Sequence, residues 1–365
     1  SMTTQKTSDK SAGRKKKNAS KKAKTKKPAG SLKGLIITGS VIAALAVAAC
    51  VTYVYFGKAH EGDDVWLKIS AGASESEVRD EVTSVLGADE GGRVLTIWNM
   101  LHSDPGKAHG AYLVKKGQPA WRTAFNLSRG RQTPVRITWN NVRLFSQIAE
   151  RVSDGLDFTA ADFEAAADTV LPSEGYSKAQ FPAAFLPDSY EFYWGARPEK
   201  VIRTMLQSRN KFWNDERIKK AESLGLTPTE VATLASIVEE ETAKTDEMPK
   251  VARLYLNRLK QGMPLQADPT VKFAIGDFSI KRISTAMLQT PSPYNTYKNK
   301  GLPPGPIRVA SQTGIDAVLD APKHEYIYMC AKEDFSGYHN FSKSYSEHQA
   351  NAARYQAELN RRNIH

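Results

Sequence analysis

Cysteine is scarce in this chain of 365 residues. Its two cysteines are Cys50 and Cys330, and Cys50 falls inside an apolar run, so we expect no disulfide in the rest of the chain. A small secreted scaffold held together by disulfides is therefore excluded. Two isolated thiols also lack the ligand spacing of a zinc site, so no metal is expected.

Several common catalytic motifs are missing as well. The sequence contains no Gly-x-x-x-x-Gly-Lys-Ser/Thr phosphate loop, no Gly-x-Ser-x-Gly turn and no His-Glu-x-x-His motif. Nucleotide hydrolysis, serine hydrolase chemistry and zinc protease chemistry are thus left without support. No cofactor is implied.

Acidic residues are nearly absent from residues 1–33. This segment holds twelve of the 51 Lys and Arg residues but only one acid, Asp9, and so carries +11 of the net charge of +12. A basic run with few large apolar residues predicts a solvated, disordered tail. Because the rest of the chain is nearly neutral, nucleic acid is not expected as a partner.

One long apolar run follows the tail. Residues 34–56 contain no charge over 23 positions, whereas a membrane span needs about 20. Aromatic residues at its far end, such as Tyr53 and Tyr55, suit the membrane interface. The run predicts one transmembrane helix. A cleaved signal peptide is the alternative, because Ala48-Ala49-Cys50 resembles a cleavage or lipidation site, although signal peptides have apolar cores of only about 7–15 residues.

The charge around this run predicts its orientation. Basic segments next to a span stay on the cytoplasmic side, so residues 1–33 are predicted to be cytoplasmic and everything after Gly57 extracytoplasmic. We therefore expect a single-pass protein of the cytoplasmic (inner) membrane.

Residues 57–133 predict a small βααβ unit. Val65–Ile69 and Gly110–Val114 are rich in strand formers. Between them, a capping box at Ser74 opens one helix that ends at Gly87, and a second helix is expected from about residue 90 to 101. This order resembles the glycan-binding LysM module. A packing unit that separates the rest of the protein from the membrane is the other interpretation.

Thr227-Pro-Thr-Glu230 is a capping box that opens a further helix. Its apolar residues at 231, 234, 235 and 238 form one buried stripe. At about 100° per residue, Glu239 and Glu241 lie on the flanks of this stripe and Glu240 points to solvent. A carboxyl group at the edge of a core is partly desolvated and suits a general acid. A solvated acidic helix end is the other interpretation of the pattern.

Five segments in the second half of the chain stand out by their motifs. They are Leu234-Ala-Ser-Ile-Val-Glu-Glu-Glu-Thr242, Asn257-Arg258-Leu259, Leu265-Gln-Ala-Asp-Pro-Thr-Val271, Pro293-Tyr-Asn-Thr-Tyr297 and Gly301-Leu-Pro-Pro-Gly-Pro-Ile307. Together they resemble the YceG-like family of membrane-bound endolytic murein transglycosylases. The resemblance covers most of residues 65–355 and is strongest from 234 to 307. It implies an α+β fold with an N-terminal transmembrane helix, a LysM-like unit at 57–133 and a mixed α/β catalytic domain at 134–365.

The resemblance also implies site residues. Glu239, which directly follows Ala-Ser-Ile-Val, is expected to be the essential glutamate. Glu241 and Asp268 are expected to support it, although Glu241 also matches the family pattern and is the second choice for the acid. His339 is expected to donate an orienting hydrogen bond. Asp188 and Tyr190 belong to an aromatic run that suits either a core or a sugar-stacking surface. The full set of expected substrate-binding residues is Gln266, Thr270, Tyr294, Asn295, Tyr297, His339, Phe341, Ser342, Asp188 and Tyr190.

The implied substrate is the glycan strand of peptidoglycan. Glu239 would protonate the glycosidic oxygen, and the C6 hydroxyl of N-acetylmuramic acid would close a 1,6-anhydro ring, which would terminate nascent strands. Two alternatives stay open. One is a hydrolase that uses Asp268 as a second carboxylate, and the other is a catalytically silent scaffold that recruits peptidoglycan synthases.

Overall fold

The computed structural model describes residues 30 to 362. It forms two compact units, one that ends at Lys58 and one that begins at Ala59. In the first unit, α1 (Gly30–Gly57) contains the predicted span. Its large side chains, such as Leu35 and Leu45, are exposed. Of the predicted tail, residues 1–29 lie outside the described residues and residues 30–33 begin α1.

Among residues 30 to 362, the segment Lys33–Gly57 is the one helix that is long and apolar enough to cross a membrane. A signal sequence near an N-terminus can meet the same criteria of length and apolar composition. Membrane insertion therefore stays a prediction.

The second unit is a mixed arrangement of helices and short strands, so the expected α+β class is confirmed at that level. It begins with β1 (Val65–Ile69), α2 (Glu75–Met100), β2 (Gly110–Val114), α3 (Ala120–Arg129), β3 (Val135–Trp139), α4 (Phe145–Ser153), α5 (Ala160–Ser173) and β4 (Asp188–Phe192). It continues with α6 (Pro198–Phe212), α7 (Asp215–Ser223), α8 (Pro228–Glu241), α9 (Met248–Lys260), α10 (Asp268–Ile275), α11 (Gln312–Leu319), β5 (Tyr328–Ala331), β6 (His339–Ser342) and α12 (Tyr345–Arg361).

Local sequence explains the first elements. Ser74 caps α2 and forms the predicted capping box with Glu77. Gly87 has φ 79° and interrupts α2, so two helical segments lie between β1 and β2, as the sequence predicted. β1 and β2 pair antiparallel, with Val65 opposite Val114. The likeness to LysM and its glycan binding stay predictions.

Buried apolar residues form two clusters. The first runs from Leu67 to Leu127 and packs α2 and α3 against β1 and β2. The second runs from Ile137 to Ala321 and contains the interior of α8. The predicted domain boundary at residue 133 falls between the two clusters, but both belong to the same compact unit. The division at 133 stays a prediction.

α8 is the central helix of the larger cluster. Thr227 caps it and forms the predicted capping box with Glu230. Every residue from Val231 to Val238 is buried, because α9, α10 and α11 pack around it. The helix therefore has no broad solvent face. The prediction that Glu240 points to solvent is wrong for this reason.

Candidate active site

A pocket of about 260 Å³ lies at the carboxyl end of α8. It gathers side chains from α8, α9, the start of α10, a loop and the hairpin of β5 and β6. Five predicted site residues line it, together with Tyr255 and Arg258, to which the sequence assigned no role. The five are Glu241, Gln266, Asp268, Tyr297 and His339.

Glu241 is one of two carboxyl groups that line this pocket. Tyr255 donates a hydrogen bond from its hydroxyl to Oε1 of Glu241 at 2.7 Å. Burial raises the pKa of Glu241 to about 7, the Tyr255 hydrogen bond lowers it and the nearby charge of Asp268 raises it. The last turn of a helix also disfavours negative charge. Glu241 is therefore substantially protonated near neutral pH, as a proton donor must be.

Asp268 is held by a second tyrosine. The Tyr297 hydroxyl donates to Oδ1 of Asp268 at 2.6 Å, and burial followed by this hydrogen bond raises the pKa of Tyr297. Gln266, two residues before Asp268, adopts φ 53°, which is uncommon for a residue other than glycine. Strain of this kind concentrates at functional sites.

Arg258 lines the pocket and holds neighbouring backbone segments in place. Its Nε donates to the Ile327 carbonyl at 2.7 Å and its Nη1 to the Leu265 carbonyl at 2.7 Å. The guanidinium is buried and thus ties α9 to the segments that lead into β5 and α10. This contact explains the Asn257-Arg258-Leu259 motif as a structural clamp.

Glu247 was missed by the sequence reasoning. It precedes α9, and its side chain is only 5% exposed. Its Oε2 accepts from Nδ1 of His339 at 2.9 Å, and its Oε1 accepts from the backbone N–H of His339 at 2.7 Å. The two residues are 92 positions apart, so no local pattern pointed to the pair.

Glu239 lies away from the pocket. Its side chain is 5% exposed, and its carboxylate accepts from the backbone N–H of Ser311 at 3.1 Å and from the Ser311 hydroxyl. Ser311 is the N-cap of α11, and a Cβ on Gly314 would lie 2.5 Å from Oε1 of Glu239. Burial raises the pKa of Glu239, whereas Ser311 and Arg308 lower it. The geometry makes Glu239 an anchor for α11 and does not favour it as the acid.

Glu240 joins two arginines instead of facing water. It is 18% exposed and lies 2.7 Å from Nη2 of Arg143 and 3.0 Å from Nη1 of Arg308. These pairs connect the end of α8 with the segments before α4 and α11. The helical wheel placed Glu240 in solvent because it considers α8 alone and takes no account of the segments that pack around it.

Several other predicted substrate-binding residues stabilise the protein interior. Thr270 is fully buried and bonds to Ala267 and Thr296. Asn295 is also fully buried and donates to two loop carbonyls, those of Leu288 and Thr290. Both side chains form their hydrogen bonds inside the protein, so the structure does not support direct substrate contact by either of them.

Two of the aromatic candidates, Tyr190 and Tyr294, pack against other rings and do not line the pocket. Tyr190 is buried and stacks near Trp139, and its hydroxyl donates to the Leu186 carbonyl. Tyr294 is half-buried, with its ring centroid 4.7 Å from that of Phe273. The core interpretation of the aromatic run is thus correct for Tyr190.

The three remaining candidates lie outside the pocket lining. Phe341 packs beside Tyr326 and His324. Ser342 is buried on β6, so it is not available to a substrate. Asp188 is exposed on β4 and accepts from the backbone N–H of Ser189.

Among residues 30 to 362, no group of three or more His, Cys, Asp or Glu side chains could hold a metal ion. A larger cavity of about 1180 Å³ lies near the amino end of α8, and its lining includes none of the predicted site residues. The ionisable side chains described above for the smaller pocket are two carboxyl groups, two tyrosines, a histidine and an arginine.

The YceG-like family model matches residues 67–354, which is most of the chain. The chain belongs to the YceG-like family. A Bacillus subtilis protein named endolytic murein transglycosylase is 37% identical over 183 residues, which is 48% of this chain and 46% of that protein. A Streptococcus pneumoniae protein of the same name is 31% identical over 171 residues, which is 46% of this chain and 31% of that protein. The chain spans less than half the length of these curated relatives.

A crystal structure of a YceG-like protein from Listeria monocytogenes has the same fold. It superposes with a TM-score of 0.51 at 23% identity and covers 79% of this chain and 98% of that one. This likeness supports the fold alone.

Proposed function

We propose that this protein is a membrane-anchored lytic transglycosylase of peptidoglycan, with Glu241 as its general acid. The observation that carries the proposal is the pocket at the end of α8, where Glu241 has its pKa raised to about 7 by burial and is oriented by Tyr255. Family membership and the names of the two relatives supply the substrate class.

One acid suffices for this reaction. Glu241 protonates the glycosidic oxygen between N-acetylmuramic acid and N-acetylglucosamine, and the bond to C1 of N-acetylmuramic acid breaks. The C6 hydroxyl of the same sugar then bonds to C1, and its proton returns to Glu241. The product carries a 1,6-anhydro end. Because this hydroxyl belongs to the same sugar, its effective molarity is high and no bound water is needed as the nucleophile. Proton transfer by Glu241 accelerates the reaction by about 10²- to 10⁴-fold.

The remaining pocket residues bind the sugar. Gln266, Tyr297 and His339 present polar groups suited to hydroxyl and acetamido groups. Asp268 accepts a hydrogen bond from Tyr297, and its proximity raises the pKa of Glu241, which favours the protonated form of Glu241. Residues 34–56 anchor the unit in the cytoplasmic membrane, with the pocket on the extracytoplasmic side, where peptidoglycan is found.

Mass spectrometry of the digestion products tests the proposal. The purified chain should cut within glycan strands and leave ends that are one water lighter than hydrolysed reducing ends. Absence of cleavage by well-folded protein would reject the enzyme and favour the scaffold.

Hydrolysis is the second candidate, because Asp268 lies in the same pocket as Glu241 and two carboxyl groups are what a hydrolase needs. The same spectra decide between the two. Products with reducing ends only would replace the lyase assignment with a hydrolase.

A further inference from the structure

We infer that Glu247 is a positioning residue that fixes the tautomer of His339, so that Nε2 of His339 faces the sugar as a hydrogen-bond acceptor. This inference rests on the proposed function, because it names a further part of the same site. The two hydrogen bonds between Glu247 and His339 carry it.

The bonds define how the ring is held. Glu247 accepts from the backbone N–H of His339 with one oxygen and from Nδ1 with the other. A carboxylate has no proton to donate, so the ring proton must lie on Nδ1. The lone pair of the neutral imidazole is then on Nε2.

The second ring nitrogen of His339, Nε2, is not used to hold the ring in place. Among residues 30 to 362, Nε2 of His339 makes no hydrogen bond, and the side chain lines the pocket of Glu241. His324 differs, because both of its ring nitrogens are used inside the protein: Nε2 donates to the Lys250 carbonyl, and Nδ1 accepts from the N–H of Tyr326.

The group that Nε2 accepts from is therefore a hydroxyl or acetamido N–H of the sugar next to the bond that is cut. A carboxylate that orients a histidine through Nδ1 recurs in other active sites, where it fixes the tautomer and the ring position. Glu247 is buried enough, at 5% exposure, to serve this purpose without competition from water.

Ring ¹⁵N NMR of the full chain in detergent at pH 8 tests the tautomer directly. The chain has seven histidines, and the spectrum of His339→Asn assigns the resonances of His339. We expect Nδ1 to be protonated and Nε2 unprotonated in the wild type. His324 is the internal reference, since its two hydrogen bonds require the opposite tautomer.

Glu247→Gln should reverse the state of His339. The glutamine oxygen can still accept from the backbone N–H of His339, but its NH₂ group then faces Nδ1 and the ring proton moves to Nε2. We expect kcat on peptidoglycan to fall about 10-fold or more, as for other partners that orient a working histidine, with KM changed less. Glu333→Gln is the matched control. Glu333 lies between β5 and β6, and its replacement weakens hydrogen bonds from Asn340 on β6 and Arg354 on α12, but Glu333 neither bonds to His339 nor lines the pocket.

Two substitutions of His339 keep the test decisive if Glu247→Gln fails to fold. His339→Asn places an amide near the position of Nδ1, and His339→Gln places one near that of Nε2. We expect His339→Gln to retain at least 10-fold more activity than His339→Asn.

Three results would overturn the inference: a protonated Nε2 in the wild type, a kcat of Glu247→Gln no lower than that of Glu333→Gln, or equal activity of the two His339 variants. The NMR result does not depend on activity. A wild-type protein that cuts no peptidoglycan would reject the proposed function and leave the tautomer to be judged separately.

Discussion

Three consecutive glutamates at the end of α8 occupy three different environments. Glu239 anchors the N-terminus of α11, Glu240 joins two arginines, and Glu241 faces the pocket. Replacing each glutamate in turn by glutamine, which has nearly the same shape, should therefore show which of the three positions serves catalysis and which serve stability.

Glu241→Gln should lower turnover of peptidoglycan by about two to four orders of magnitude, because the amide cannot donate the proton. Its melting temperature should stay close to that of the wild type. Glu239→Gln and Glu240→Gln should retain turnover within a few-fold but lose about 1–3 kcal/mol of unfolding free energy, since each weakens buried charged hydrogen bonds. All three are measured on the same substrate, with thermal melts in parallel. Normal turnover by Glu241→Gln together with collapse in Glu239→Gln would return the role of the acid to Glu239.

The hydroxyl of Tyr255 should set the upper pH limit of activity. A general acid works while protonated, so turnover should fall as the pH rises through the pKa of Glu241, about 7. The Tyr255 hydrogen bond stabilises the charged form and lowers this pKa. Tyr255→Phe removes that effect, so the pKa rises and the alkaline limb of the kcat profile should move to higher pH.

Tyr112→Phe is the control for this profile. It also removes a buried hydroxyl, which donates to the Ala108 carbonyl, but it lies in the other apolar cluster. Its alkaline limb should match that of the wild type. A shift to lower pH in Tyr255→Phe would contradict the assignment of the limb to Glu241.

At the scale of elements, the Gly/Pro segment 301–307 holds α8 in place. The backbone N–H of Ile307 donates to the Ser236 hydroxyl in α8 at 3.0 Å. Gly305 presses against the chain before β4, where a Cβ would lie only 1.9 Å from the Ala179 carbonyl oxygen. The segment therefore packs tightly between α8 and the 3₁₀ turn at Lys178–Ala184.

Gly305→Ala should destabilise the protein by about 1–3 kcal/mol or more, because a backbone atom must move to admit the methyl group. Gly92→Ala is the opposite control. Gly92 lies in α2 with nothing within 4 Å of its added Cβ, so this change should stabilise by up to about 1 kcal/mol. Denaturant unfolding measures both. Equal stability of Gly305→Ala and the wild type would show that the backbone near Ala179 moves at little cost in free energy.

Elements with local signals were predictable, and contacts between distant segments were not. The starts of α2 and α8 could be predicted from the capping boxes at Ser74 and Thr227, because each box involves only four consecutive residues. The helical wheel placed Glu239 and Glu241 on two flanks, but which flank met a pocket depended on Ser311, 72 residues away. The pairing of Glu247 with His339 was out of reach for the same reason.

At the scale of the whole molecule, the pocket and both apolar clusters belong to the unit that begins at Ala59. The catalytic chemistry that we propose should therefore be separable from membrane attachment.

Deletion of residues 1–57 should give a soluble protein with the turnover of the full chain on isolated wall material. In cells it should lose its confinement to the membrane, because a single apolar helix of this length holds a protein in the bilayer. A reporter fused after Gly57 should lie outside the cytoplasm, as the basic residues before the helix require. The mass of the mature protein distinguishes an anchor from a signal peptide, since cleavage near Cys50 would remove most of α1. A reporter found in the cytoplasm would overturn the topology, and with it the access of Glu241 to peptidoglycan.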